Sequence, residues 1–113
     1  MRLRTFILTF ISPLFYLSTY SQSAQPTNLG NQVNSVFDEI APIISPDEQT
    51  IYFSRRGHPG NLGSNKEHYD IWYAQKDSLG KWQKAENIGP PLNNKNDNFI
   101  SSISPDGNSI VVN

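Results

Sequence analysis

Ile44-Ser45-Pro46-Asp47-Glu48-Gln49-Thr50-Ile51-Tyr52-Phe53-Ser54 is the stretch on which the fold turns, because it returns as Ile103-Ser104-Pro105-Asp106-Gly107-Asn108-Ser109-Ile110-Val111-Val112-Asn113. In each copy a short polar turn separates two apolar runs. Proline presets φ at the second turn position and aspartate suits the third, so Ser45–Glu48 and Ser104–Gly107 read as tight turns. Thr50–Ser54, rich in β-branched and aromatic residues, reads as the strand leaving the turn, and Ile40–Ile44 as the strand entering it.

Working outward, an offset of 59 pairs Asn28–Ser54 with Asn87–Asn113 without a gap. Asn28/Asn87, Gly30/Gly89, Asn34/Asn93, Asp38/Asp97, Ile44/Ile103, Ser45/Ser104, Pro46/Pro105, Asp47/Asp106 and Ile51/Ile110 are identical. Leu29/Ile88, Val33/Leu92, Ile40/Phe99, Thr50/Ser109, Tyr52/Val111 and Phe53/Val112 keep their character. Agreement at both turn and apolar positions marks an internal repeat. The first copy continues through a long loop, Arg55–Tyr69, a third strand over Asp70–Gln75, a turn at Asp77-Ser78-Leu79-Gly80 and a fourth strand beginning at Lys81-Trp82-Gln83. Four antiparallel strands per repeat of this length make one blade of a β-propeller. The fold expected is therefore all-β: a four-stranded antiparallel blade over 22–86 and part of a second over 87–113, an incomplete propeller. Closing such a ring typically takes about four or more blades. The chain is accordingly expected to be a piece of a longer protein, or of a degraded reading frame, and poorly stable alone.

The totals agree. Nine basic residues against ten acidic give a net charge of -1, which supplies no field for nucleic acid. With no cysteine, thiolate metal sites, cysteine nucleophiles and disulfides are excluded. Residues 1–21 read as a signal peptide: Arg2 and Arg4, a mostly apolar run over Phe6–Leu17 broken by Pro13, and Thr19 and Ser21 at small-residue positions before a cut at Gln22. The apolar run is shorter than the roughly 20 residues a spanning helix wants. The mature chain is thus expected in the periplasm, associated with the outer membrane, or secreted, with no transmembrane helix after cleavage.

Ile44-Ser45-Pro46-Asp47, Thr50-Ile51-Tyr52-Phe53-Ser54, Asp70-Ile71-Trp72-Tyr73 and Gly80-Lys81-Trp82 together resemble the WD40-like Pro-Asp repeat of bacterial propellers, as does Asn87-Ile88-Gly89-Pro90-Pro91-Leu92-Asn93 before the second turn. Such repeats occur in TolB-like periplasmic proteins and in envelope proteins carrying a C-terminal OmpA-like domain; Ser54–Asn61 is similar to a stretch of the latter. The resemblance implies a propeller and an envelope address, and says little about ligand. The chain departs from the pattern at Glu48, which stands where glycine is usual and is unstrained only if its φ stays negative.

Strand alternation places the Pro-Asp turns and Asp77–Gly80 at one end of the blade, the lower. Arg55–Tyr69, Gly30–Asp38 and Gly89–Asp97 lie at the upper end, and long loops on a rigid scaffold favour binding. Arg55, Arg56, His58, Asn61 and His68 are the candidate ligand-binding residues. Paired arginines suit carboxylates or sugar phosphates, although local ion pairing is the commoner use. His58 and His68 lack the ligand spacing of a zinc site. Asn93–Asn98 is oxygen-rich but lacks the ligand alternation of a calcium loop. Most of Trp72, Trp82, Tyr52, Tyr69 and Tyr73 are expected to pack between blades rather than stack on sugars. No nucleophile elbow, phosphate loop or zinc-protease motif is present. Asp38, Asp70 and Asp97 are available as a glycosidase carboxylate pair, but bonding of loop backbone is their expected use. The expected function is a non-catalytic, cofactor-free binding or scaffold module contacting envelope proteins, glycans or peptidoglycan, and the remaining blades of its own propeller. The alternative is the opening of a propeller-bearing hydrolase acting on carbohydrate or peptide.

Overall fold

The computed structural model describes residues 25–62 and 67–113; the expected signal peptide and its cleavage site lie outside them. Strands β1 (Asp38–Ile44), β2 (Thr50–Arg56), β3 (Tyr69–Gln75) and β4 (Glu86–Asn87) form one antiparallel sheet in that order. Strands β5 (Ile100–Ile103) and β6 (Ile110–Val112) form a second, two-stranded sheet. The architecture is all-β and unclosed: one blade and the start of another. Among the described residues no helix is long and apolar enough to cross a membrane.

Register assigns the faces. Ile51, Phe53 and Arg55 of β2 lie opposite Ala74, Trp72 and Asp70 of β3, so these six share one face. Val33 and Leu29, from the segment before β1, cover it, and Ala85 and Trp82 close its lower part. Burying a side chain such as Ile51, Phe53 or Trp72 is worth about 1.5–3 kcal/mol, which makes this face the blade's main apolar contact. On the other face, the Tyr69 ring meets Phe99 at 5.4 Å and Tyr52 meets Tyr73 at 6.4 Å. The aromatics thus divide: Trp72 is core within the blade, whereas Tyr69 contacts the second one.

The two copies share backbone as well as sequence. Asn28 Oδ1 accepts from Gly30 N at 2.8 Å and from Asn34 Nδ2 at 2.7 Å. Asn87 Oδ1 accepts from Gly89 N and from Asn93 Nδ2, both at 2.8 Å. In each Pro-Asp turn the serine hydroxyl donates to the aspartate carboxylate and accepts the amide of Thr50 or Ser109. Those serine bonds are the first cause holding Asp47 and Asp106 below the usual carboxylate range. Even the bulge recurs. Ile40 pairs with Ser54 and Ile43 with Tyr52, skipping a residue on β1. Phe99 and Asn113 exchange two backbone bonds, while Ser102 pairs with Val111.

The fourth strand differs from expectation. Lys81–Gln83 makes a single bridge, Trp82 to Lys76, with backbone bonds from Asp77 N to Lys81 O at 2.9 Å and from Gln83 N to Gln75 O at 2.7 Å. Regular pairing resumes at β4, where Glu86 faces Tyr73 and Asn87 faces Trp72. The chain between them is drawn off the ladder because Ala85 N donates to Gln32 O, which ties it to the segment over the core.

Glu48 is the second difference: its φ is +59°, matching Gly107 at +74°. The turn needs a left-handed residue at this position, and glutamate adopts that conformation at a cost of roughly 1–2 kcal/mol. Glu48→Gly is therefore expected to raise stability by about 1 kcal/mol, part of the strain relief being returned as unfolded-chain entropy. Gly107→Ala is expected to lower it by a similar amount. Urea midpoints of the two variants check the pair; a destabilised Glu48→Gly contradicts the turn geometry.

Candidate functional site

The upper end of the blade gathers the residues singled out by sequence, but it employs them unequally. Arg55 follows Phe53 on the core face, so its side chain enters the blade rather than the solvent, and the residue is 4% exposed. Its Nε pairs with Glu39 Oε1 at 2.9 Å and its Nη2 donates to Val33 O at 2.7 Å. The guanidinium lies 4.5 Å from the centroid of the Trp72 ring and 5.1 Å from that of Phe53. A planar, weakly hydrated cation suits such stacking. The ion pair thus stitches the segment over the core to β2, which is the local use of the arginine.

Asn61 is also committed internally. Its Nδ2 donates to Arg55 O at 2.8 Å and to His68 O at 3.0 Å, while Oδ1 accepts from Trp72 Nε1 at 2.9 Å. All of its hydrogen-bonding groups are engaged in joining the two ends of the β2–β3 loop to the indole below. Asp70, fully buried, accepts at Oδ2 from Leu62 N and Asn87 Nδ2, each at 2.7 Å; among the described residues Oδ1 has no partner. Asp97 Oδ1 accepts from Tyr69 N at 2.9 Å. Both aspartates thus bond loop or strand backbone.

Arg56, His58 and His68 remain nearer the solvent. Arg56 donates from Nε to Glu67 O at 3.0 Å and lies over the Tyr69 ring. His68 Nδ1 stands 3.4 Å from Asp97 Oδ1. His58 sits edge-on to Trp72 at 4.4 Å and to Phe37 at 5.0 Å, and its Nδ1 accepts from Gly60 N at 2.9 Å. Glycine at 60 permits this approach: a Cβ there would come within 3.1 Å of the imidazole Nδ1 and 3.4 Å of Trp72 Cη2.

Beside His58 lies a recess of about 470 Å³ between the segment over the core, the β2–β3 loop and the chain entering β4. Asn31, Gln32, Ser35, Lys84 and Glu86 line it with His58. Asn31, Gln32 and Ser35 fall in the Gly30–Asp38 segment expected at the upper end, though none was singled out as a site residue; Lys84 and Glu86 escaped sequence reasoning altogether, because they lie in a stretch that read as strand. Only the fold brings 31–35 against 84–87. Among the described residues no cluster of three or more His, Cys, Asp or Glu is placed to hold a metal ion.

Burial pushes the His58 imidazole below its ordinary pKa, and the Arg55 cation and Lys84 add to the effect while Glu39 opposes it. The Gly60 bond acts in the same direction, because Nδ1 must keep its lone pair to accept it. A depressed folded pKa means that the unfolded chain takes up the proton first. The contribution of His58 to stability is therefore complete above its unfolded pKa and is lost as pH falls through the folded one. The C2–H resonance of His58 is expected to titrate below about 6.5, and His58→Gln is expected to flatten the acid-side fall in stability; a midpoint above that value contradicts the placement.

No family model matches this chain, and neither a curated protein nor a solved structure does.

Proposed function

We propose that this chain is a non-catalytic binding and scaffold module of the cell envelope, part of a propeller of the WD40-like Pro-Asp repeat kind. The proposal includes export by a cleaved signal peptide and contacts with envelope glycans, peptidoglycan or proteins. Its main support is the recess beside His58. Carboxamides from Asn31 and Gln32, the Ser35 hydroxyl and the Lys84 ammonium gather there over a floor anchored by Arg55 and Trp72. Amide and hydroxyl groups on a rigid floor suit the hydroxyl, acetamido and peptide groups of cell-wall material, which both donate and accept hydrogen bonds. Because Arg55 covers the indole and His58 meets its edge, recognition here works through hydrogen bonds rather than sugar stacking.

Titration of the isotope-labelled chain with soluble disaccharide-peptide fragments of peptidoglycan tests the reading. The expected result is a set of amide shifts centred on Asn31–Ser35 and Lys84–Asn87, lost in Asn31→Ala/Lys84→Ala, a pair of exposed substitutions outside the core. Shifts confined to other surfaces overturn the recess as the site. Conversion of the fragments to products that depends on Asp70 overturns the non-catalytic reading.

A further inference from the structure

The second repeat grips the first through residues whose first-repeat counterparts hold no strand of another blade among the described residues. Asn93 Oδ1 accepts from Ile71 N at 2.8 Å and its Nδ2 donates to Ile71 O at 2.9 Å. Asp97 Oδ1 accepts from Tyr69 N at 2.9 Å, and Phe99 packs on the Tyr69 ring. Together these side chains line the outer edge and face of β3 above the point where β4 ends.

The counterparts one repeat earlier are Asn34, Asp38 and Ile40. Asn34 is held in the same pose as Asn93, with Nδ2 donating to Asn28 Oδ1 as Asn93 donates to Asn87 Oδ1. Glu39 Oε2 accepts from Ser35 N just as Asn98 Oδ1 accepts from Asn94 N. The supporting bonds are thus in place. In Asn34 the acceptor Oδ1 and the second amide hydrogen, the groups that in Asn93 hold Ile71, make no bond to any of the described residues. Asp38 is exposed, and Ile40 is 40% exposed whereas its counterpart Phe99 is half-buried on Tyr69. Val36 beside them is 95% exposed.

We propose that Asn34, Asp38 and Ile40 form a preset clasp for the third strand of another blade of this repeat, docking on the side of the first blade opposite the second. A contact already present in the molecule sets the precedent: Asn93 and Asp97, identical to Asn34 and Asp38, and the apolar Phe99 in the place of Ile40 hold the same kind of strand. An unaltered second copy of this chain cannot be the occupant, because its own Asn93 takes the Ile71 edge. The partner is a blade whose third strand presents a free N–H and C=O pair two residues beyond a free N–H. The clasp deepens the expectation of further blades and is independent of what the recess binds, so either can fail alone.

The triple variant Asn93→Ala/Asp97→Ala/Phe99→Ala in the full chain makes the probe, since it removes the three side chains that hold Tyr69 and Ile71 and leaves their places to the clasp of a second copy. Sedimentation is expected to shift from the parent's distribution toward head-to-tail dimers and larger species. Adding Asn34→Ala and Asp38→Ala is expected to abolish that shift. Sedimentation of the triple variant indistinguishable from the parent, or association that survives loss of Asn34 and Asp38, overturns the proposal. Because the chain has no cysteine, trapping gives a second measurement. Ile40→Cys and Tyr69→Cys chains, both in the triple-variant background, are expected to form a mixed disulfide when oxidised together. Its absence while sedimentation shows association also overturns the assigned contact.

Discussion

The outer edge of β3 is the constraint on which the rest of the molecule depends. Its partner β4 is only Glu86–Asn87, so the backbone groups of Tyr69 and Ile71 lie beyond the reach of regular pairing. An unmade bond at a buried backbone group costs about 1–3 kcal/mol. The second repeat supplies what is missing: Asp97 accepts from Tyr69 N, Asn98 N donates to Tyr69 O, and Asn93 serves both groups of Ile71. Ile88 N also donates to Ile71 O. One blade is thus completed by polar side chains and backbone belonging to the next, which explains why the repeat keeps asparagine and aspartate where an isolated sheet has no use for them.

The opposite face obeys the same logic with apolar groups. Val33 and Leu29 cover Ile51, Phe53 and Trp72, and the Arg55–Glu39 pair holds the covering segment down. With one end of each blade closed by Pro-Asp turns, variation falls to the other. There the β2–β3 loop is fixed by Asn61 and Asp70 to the indole and to Asn87. The recess beside His58 owes its shape to these internal ties, although none of them points into it.

Much of the fold was legible because the repeat carries it in residue identity. The turn residues, the Asn-x-Gly pairs and the apolar alternation each have a local physical meaning, and β1, β2 and β3 fall within two residues of where alternation puts them. The fourth strand was not legible. Its interruption follows from the bond between Ala85 N and Gln32 O, a contact across the blade that no local pattern announces. The positive φ at Glu48 was hidden for a different reason. Glutamate gives no hint of a left-handed turn; only the glycine at the same place in the second copy does.

The site was less legible than the fold. Arg55, Arg56, His58, Asn61 and His68 were correctly placed at one end, yet exposure cannot be read from a loop's composition. Arg55 continues the inward alternation of Ile51 and Phe53, which in retrospect marks it as buried. The lining at 84–87, and its approach to 31–35, required tertiary structure. Amide hydrogen exchange at Tyr69 and Ile71 tests the central claim most directly. If the next repeat completes this edge, both amides are expected to be protected as strongly as those of the β2–β3 ladder, and Asn93→Ala is expected to expose Ile71. Exchange of both amides at the rate of open loops in the unaltered chain would contradict the account.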